Sequence, residues 1–311
     1  MKNKVFSSTT KALYLWAIFT FLFYLPLQQA KAQKQQPSSF KVEVTGKGKP
    51  MILIPGLTCS GEVWNETVAR YKNDYQCHVL TLAGFAGQPA VQADKFLETV
   101  RNELAVYIRQ QKLNKPLVIG HSLGGFLGLW LGAKEPDLVG GLVIIDSAPF
   151  LPALINPAIT AEGAKAMAET MINNMRGQTK EQLQQTQPQM LRSMITDDAN
   201  IAKAAEWGYT SDGNTVAKAI YELYTTDLRN DLASIKAPTL VMAAWIAYKP
   251  YGTTHESTKL NFQNQYRLLP NYELVVNDKA KHFIMWDDPE GFYAAMDNFI
   301  SKTGDKPSSR N

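Results

Sequence analysis

One run among the 311 residues has the types and spacing for covalent chemistry: Gly120-His121-Ser122-Leu123-Gly124, a G-x-S-x-G sequence. A serine hydroxyl becomes a useful nucleophile when an imidazole takes its proton, and the chemistry that follows is acyl transfer. The motif carries weight only where a strand precedes it and a helix follows, because a sharp turn between them holds the serine out at the C-terminal end of a sheet. Pro116–Gly120 reads as a short buried strand and Gly124–Lys134 as a helix. In another setting the same serine would merely cap a helix.

Four histidines are candidate bases: His78, His121, His255 and His282. His121 adjoins the serine, but a turn of this kind points neighbouring side chains apart. His78 opens an expected strand, and His255 sits in a polar stretch after Pro250-Tyr251-Gly252. His282 follows the last expected strand by a short loop and precedes the last helix, which brings it to the same edge as Ser122. An imidazole there can take a proton from the serine and return it to the leaving group. Three carboxylates are candidates to orient it. Asp146 ends a strand on the serine's side of the sheet, Asp227 lies where the chain returns from a helical stretch, and Asp231 precedes a strand and so falls at the far end. No Cys/His cluster has metal spacing and no G-x-G-x-x-G follows a strand, so the expected chemistry requires neither metal nor cofactor.

The elements that must position these residues alternate regularly. Phe40–Val44 alternates apolar and polar; Met51–Ile54, Cys77–Leu82, Pro116–Gly120, Leu142–Ile145, Thr239–Ala243 and Glu273–Val276 are mainly apolar runs of strand length. Helical patterns fall between them at Val63–Tyr71, Lys95–Gln111, Gly124–Lys134, Thr258–Tyr266 and Pro289–Ile300. Strands alternating with helices predict an α/β fold with a mostly parallel central sheet covered on both faces. Residues 150–226 break the rhythm with helices alone, including Met167, Met171 and Met175 at i, i+4 spacing. They are expected to form a helical cap inserted into a core made of residues 33–149 and 227–311. Phe85, Phe126, Phe150 and Trp245 are candidates to line a pocket beneath it, or to pack in the core.

Ile54-Pro55-Gly56-Leu57, the elbow Gly120–Gly125, Asp146-Ser147-Ala148-Pro149 and His282-Phe283 occur in the order found in the α/β-hydrolase superfamily. The likeness spans about residues 40–302 and resembles its small-molecule serine esterases. That resemblance implies a triad of Ser122, Asp146 and His282, with Asp227 as the alternative acid. It implies an oxyanion hole from the N–H groups of Leu57 and Leu123. The superfamily's usual acid follows the strand at 239–243, but Ala243-Ala244-Trp245-Ile246-Ala247-Tyr248 holds no carboxylate there. Its frequent His-Gly pair in the first loop is Pro55-Gly56 here. The implied activity is cleavage of a small to medium, apolar carboxylic ester. The same triad would also serve C–C, amide or lactone hydrolysis, and the same fold would serve a non-catalytic ligand-binding protein.

The N-terminus reads as a targeting segment. Lys2, Lys4 and Lys11 precede an apolar run, Ala12–Leu25, and Ala30-Lys31-Ala32 follows. This is the pattern of a secretory signal peptide over residues 1–32; the run is shorter than the ~20 residues a membrane-spanning helix needs. Export to the periplasm or the exterior is the expectation, with no stable membrane association once the leader is cleaved. The segment holds four lysines and no acidic residue, so without it the formal net charge falls from +4 to 0. That balance gives no electrostatic case for nucleic acid and leaves a small molecule as the expected partner. Cys59 and Cys77 are expected as isolated buried thiols, with a disulfide as the alternative in an oxidising compartment. Oligomeric state is not legible.

Overall fold

The computed structural model describes residues 39–303, so the leader assigned to residues 1–32 lies outside the described residues. Seven strands form one sheet: β1 (Phe40–Gly46), β2 (Lys49–Ile54), β3 (Tyr75–Leu82), β4 (Leu117–His121), β5 (Gly141–Ile145), β6 (Thr239–Ala244) and β7 (Tyr272–Asn277). Their spatial order is β1-β3-β2-β4-β5-β6-β7. The edge strand β1 runs antiparallel to β3, and every other pair is parallel. The short link at Gly46-Lys47-Gly48 is therefore no hairpin. It carries the chain past the start of β3, which lies between β1 and β2.

The apolar runs are continuous because both faces of the sheet are buried. Ile52, Ile54, Val118, Ile144 and Val241 point to one face, where they join Leu97, Val100 and Leu104 of α2 (Phe96–Gln110) and Phe126, Leu127 and Trp130 of α3 (Leu123–Lys134). Their alternates Met51, Leu53, Ile119, Val143 and Met242 point to the other face, against Tyr71 of α1 (Asn65–Tyr71) and Phe292, Met296 and Phe299 of α11 (Pro289–Lys302). Each such side chain contributes roughly 1.5–3 kcal/mol by leaving water. Two further helices follow β6 and β7: α9 (His255–Gln265) and the short α10 (Ile284–Asp287). The α9 helix begins at His255, three residues before the hydrophobic pattern suggests, because Thr254 and Ser257 form a capping box.

Between β5 and β6 the chain makes α4 (Pro152–Ile155), α5 (Ala161–Arg176), α6 (Lys180–Leu191), α7 (Asp198–Thr210) and α8 (Gly213–Thr225). The last four each start on a side-chain cap: Thr160, Thr179, Asp197 and Asp212. A cap of this kind is worth about 1 kcal/mol. These helices pair as α5 with α8 and α6 with α7, and the pairs join different faces of the core. Ile172, Ala219, Ile220 and Leu223 extend the cluster of α2 and α3. Leu191, Ile195, Ile201 and Trp207 extend the opposite cluster, the one that holds Phe283 and Ile284.

Phe85, Phe126 and Phe150 are fully enclosed core residues and line no open pocket. The methionine stripe is split: Met171 is exposed, whereas Met175 packs against the core. Cys59 and Cys77 are free and buried. Burial pushes their thiols up to about 12 and about 11. Among the described residues no helix is long and apolar enough to cross a membrane.

Candidate active site

The C-terminal ends of β2, β4, β5 and β6 finish side by side, with Ile54 opposite Gly120, His121 opposite Ile145 and Ile145 opposite Met242. Each strand delivers one part of the site just past its end.

Ser122 sits between β4 and α3 with φ 53° and ψ −118°, a conformation L-residues rarely adopt. Its N–H still donates to the Ile145 carbonyl at 2.8 Å, so the ladder with β5 runs up to the turn itself. The turn has no room for side chains. A Cβ at Gly120 would strike the carbonyl of Gly124, and one at Gly124 would strike the carbonyl of Ile54 and lie 2.7 Å from that of Pro55. The two glycines thus let strand, elbow and first loop close on one another.

Asp146 ends β5 and also takes a positive φ, 43°, a conformation Asp tolerates better than most residues. Its N–H donates to Met242 O at 2.8 Å. One carboxylate oxygen accepts from Ala244 N at 2.9 Å, and the other lies 2.6 Å from His282 Nδ1. A carboxylate only accepts, so Nδ1 carries the proton and Nε2 offers its lone pair. The carboxylate is nearly enclosed, at 9% exposure, while the imidazole keeps 19%. No hydrogen bond joins Ser122 Oγ to His282 among the described residues; contacts of this kind often close only when substrate binds.

The other candidates lie elsewhere. The Asp227 carboxylate is occupied by Arg229, at 2.9 and 3.1 Å from Nε and 2.6 Å from Nη2. Asp231 pairs with Lys134 at 3.0 Å, at the end of α3 opposite to Ser122. His78 bonds to Tyr107 and Gln76, and His255 is half-exposed at the start of α9.

Leu57 lies in a tight turn after β2. Cys59 N donates to Gly56 O at 3.2 Å, and Thr58 takes φ 62°. A Cβ at Gly56 would lie 3.4 Å from Ser122 Cβ, which sets this turn directly against the elbow. Leu123 is the first residue of α3, where a backbone N–H has no intrahelical acceptor. The turn that carries Leu57 and the first residue of α3 thus both adjoin the serine.

Two residues that motif reading left aside hold the imidazole. His121 is fully buried, its ring centroid 4.6 Å from that of His282 and 4.5 Å from that of Phe283. Its Nε2 donates to the His282 carbonyl at 3.0 Å, and its buried Nδ1 has no hydrogen-bond partner among the described residues. Burial, and secondarily the positive charge His282 gains when protonated, depress its pKa well below 6.5, so His121 is neutral at pH 7. Asn277, at the end of β7, accepts from Lys279 N at 2.9 Å and Ala280 N at 2.7 Å, and donates to Asp288 at 2.7 Å. A polar residue closing an apolar strand is the only sequence signal for it. Beyond Asp146, Tyr266 donates to Ser147 O at 2.8 Å and Gln265 to Phe150 O at 3.0 Å, so α9 steadies that loop.

The comparisons with known proteins agree with this architecture. The family model described as alpha/beta hydrolase fold matches residues 49–289. An N-formylmaleamate deformylase from Pseudomonas putida is 22% identical, over 82% of this chain and 90% of its own. A pimeloyl-[acyl-carrier protein] methyl ester esterase from Vibrio atlanticus is 22% identical, over 83% and 97%. Among solved structures, an esterase from Exiguobacterium antarcticum superposes with a TM-score of 0.69 at 16% identity, covering 84% of this chain and 95% of that one. With its parallel sheet, its elbow and a family model spanning most of its length, the chain belongs to the alpha/beta hydrolase fold family.

Proposed function

We propose that the protein is a serine hydrolase that cleaves a small to medium, apolar carboxylic ester through an acyl-enzyme on Ser122. The observation that carries this reading is the 2.6 Å contact between Asp146 and His282 Nδ1, which leaves Nε2 as a proton acceptor at the sheet edge where the elbow presents its serine.

In this mechanism His282 Nε2 takes the proton of Ser122 Oγ as the oxygen attacks the ester carbonyl. The carbonyl oxygen becomes an oxyanion held by the N–H groups of Leu57 and Leu123. Asp146 fixes the tautomer and stabilises the imidazolium. Collapse of the intermediate breaks the C–O bond, and His282 gives its proton to the departing alcohol. Water, deprotonated by the same imidazole, then attacks the acyl-enzyme and releases the acid with Ser122 restored. The helices of residues 150–226 act as a cap that selects the acyl or alcohol group. A cleavable leader over residues 1–32 directs export, and N-terminal sequencing of the secreted protein is expected to begin at Gln33.

The test is turnover of p-nitrophenyl esters from acetate to octanoate, together with labelling by a fluorophosphonate probe. Wild type is expected to be labelled and Ser122→Ala is not. A folded wild type that neither turns over nor takes the probe would overturn the reading in favour of ligand binding alone.

The deformylase among the relatives favours a second reading, attack on an amide or related acyl bond with the same residues. Anilides and lactones in the same panel decide between the two.

A further inference from the structure

Four backbone N–H groups of the loop around His282 are held by side chains or by distant backbone, and they divide by origin. Those of Lys279 and Ala280 are held from within the core, by Asn277. Those of Lys281 and Phe283 are held at or from the link between α6 and α7. Lys281 N donates to Asp287 Oδ2 at 3.0 Å. Phe283 N donates to Met194 O at 3.3 Å. The Asp287 carboxylate also accepts from Thr196, from its N–H at 3.0 Å on Oδ1 and from its hydroxyl at 3.0 Å on Oδ2.

The Lys281 ammonium reaches across to the carbonyls of Arg192 at 2.6 Å and Ile195 at 3.2 Å, just past the C-terminal end of α6, where a cation is favoured. An aromatic series runs the same way. Trp207 of α7 lies 5.9 Å from Trp286, Trp286 stacks on Phe283 at 5.0 Å, and Phe283 meets His121, which meets His282.

We propose that Asp287 and Thr196 form a positioning bridge through which the α6–α7 pair sets the orientation of His282. The inference rests on the reading of His282 as the general base, and it adds that the helical insert is part of what aims that base. The carboxylate ties Thr196 to the residue directly before the histidine. Loosening it frees Lys281 N–H, lets the imidazole rotate about a shorter anchored segment and weakens its alignment with Asp146. Misalignment on this scale lowers the rate of proton transfer and leaves ester binding as it was.

Thr196→Val removes the hydroxyl contact and keeps Asp287 on Lys281, whereas Asp287→Asn weakens both arms. Thr196→Ser restores the hydroxyl, and Thr99→Val, on α2 outside the insert, where the hydroxyl donates only to the Lys95 carbonyl of its own helix, is the matched control. With p-nitrophenyl butyrate we expect kcat to fall roughly 5-fold in Thr196→Val and roughly 20-fold in Asp287→Asn, with KM within about twofold. Thr196→Ser should keep at least about half of wild-type kcat, and Thr99→Val should match wild type. The double variant should be no slower than Asp287→Asn, as residues acting through one contact require.

The low-field proton NMR resonance of His282 Nδ1–H is the second readout, and it should broaden in Thr196→Val and sharpen again in Thr196→Ser. Unchanged kcat and an unchanged resonance in both bridge variants would overturn the bridge, as would a rise in KM at constant kcat. If wild type proves inactive and unlabelled but its resonance still responds to Thr196→Val, the bridge stands and the hydrolase reading falls.

Discussion

Ser122 and His282 reach the same edge of one sheet and are held there by opposite means. The elbow is fixed by backbone sterics: a positive φ at Ser122, a ladder bond to Ile145, and two glycines pressed against carbonyl groups. The histidine loop is fixed by side-chain hydrogen bonds, from Asn277 and Asp287 on either side of it and from Asp146 and His121 across the fold, each taking one or two of its polar groups. Backbone sterics fail abruptly, because two atoms either fit or do not. A set of side-chain hydrogen bonds fails gradually, each worth about 0.5–1.5 kcal/mol net.

The contrast is most directly challenged at Gly124. Gly124→Ala is expected to abolish fluorophosphonate labelling and to lower Tm by roughly 5 °C or more, since the new methyl meets the Ile54 carbonyl rather than a movable side chain. A labelled, stable variant would show that the elbow has slack. Next in size is Asp146→Asn, which on the triad reading lowers kcat about 10⁴-fold. Asp227→Asn stays within about threefold, because its carboxylate serves Arg229. Steady-state kinetics that reversed this order would move the orienting acid to Asp227.

A graded loss is expected at Asn277. Asn277→Ala should cost roughly 10-fold in kcat while the probe still labels Ser122, since only part of the loop is released. A total loss there would mean that the loop is as brittle as the elbow. The smallest effect concerns pH. His121 is kept neutral in the fold, so the unfolded chain binds a proton first as pH falls below 6.5. Its contribution to stability is therefore whole above that value and declines below it, by about 1.4 kcal/mol per pH unit until its folded pKa is reached. Urea unfolding at pH 7.0 and 5.5 should show a shallower decline in His121→Gln than in wild type.

The two modes of holding also explain what could be read in advance. Sterically fixed parts leave a local signature, which is why G-x-S-x-G and the apolar strands stand out in the sequence. The strand and helix bounds follow from periodicity to within a few residues, as at β3, which starts at Tyr75 rather than Cys77. The insertion of β3 between β1 and β2 has no local signature, since either neighbour satisfies an alternating strand. Thr196 and Asp287 were invisible for the same reason. The Thr196–Asp287 contact spans 91 residues of chain, and nothing in a polar side chain announces so distant a partner. The aromatic residues were ambiguous because a phenyl ring is equally at home in a core and in a pocket; Phe85 and Phe126 went to the core.

The two enclosed sulfhydryl groups bear on where such a chain can mature. With titration points near 11 and 12, they hold almost no thiolate at neutral pH, and thiolate is the species that oxidants and other cysteines attack. Once folded, the chain should consequently resist thiol oxidation and mixed-disulfide formation at Cys59 and Cys77.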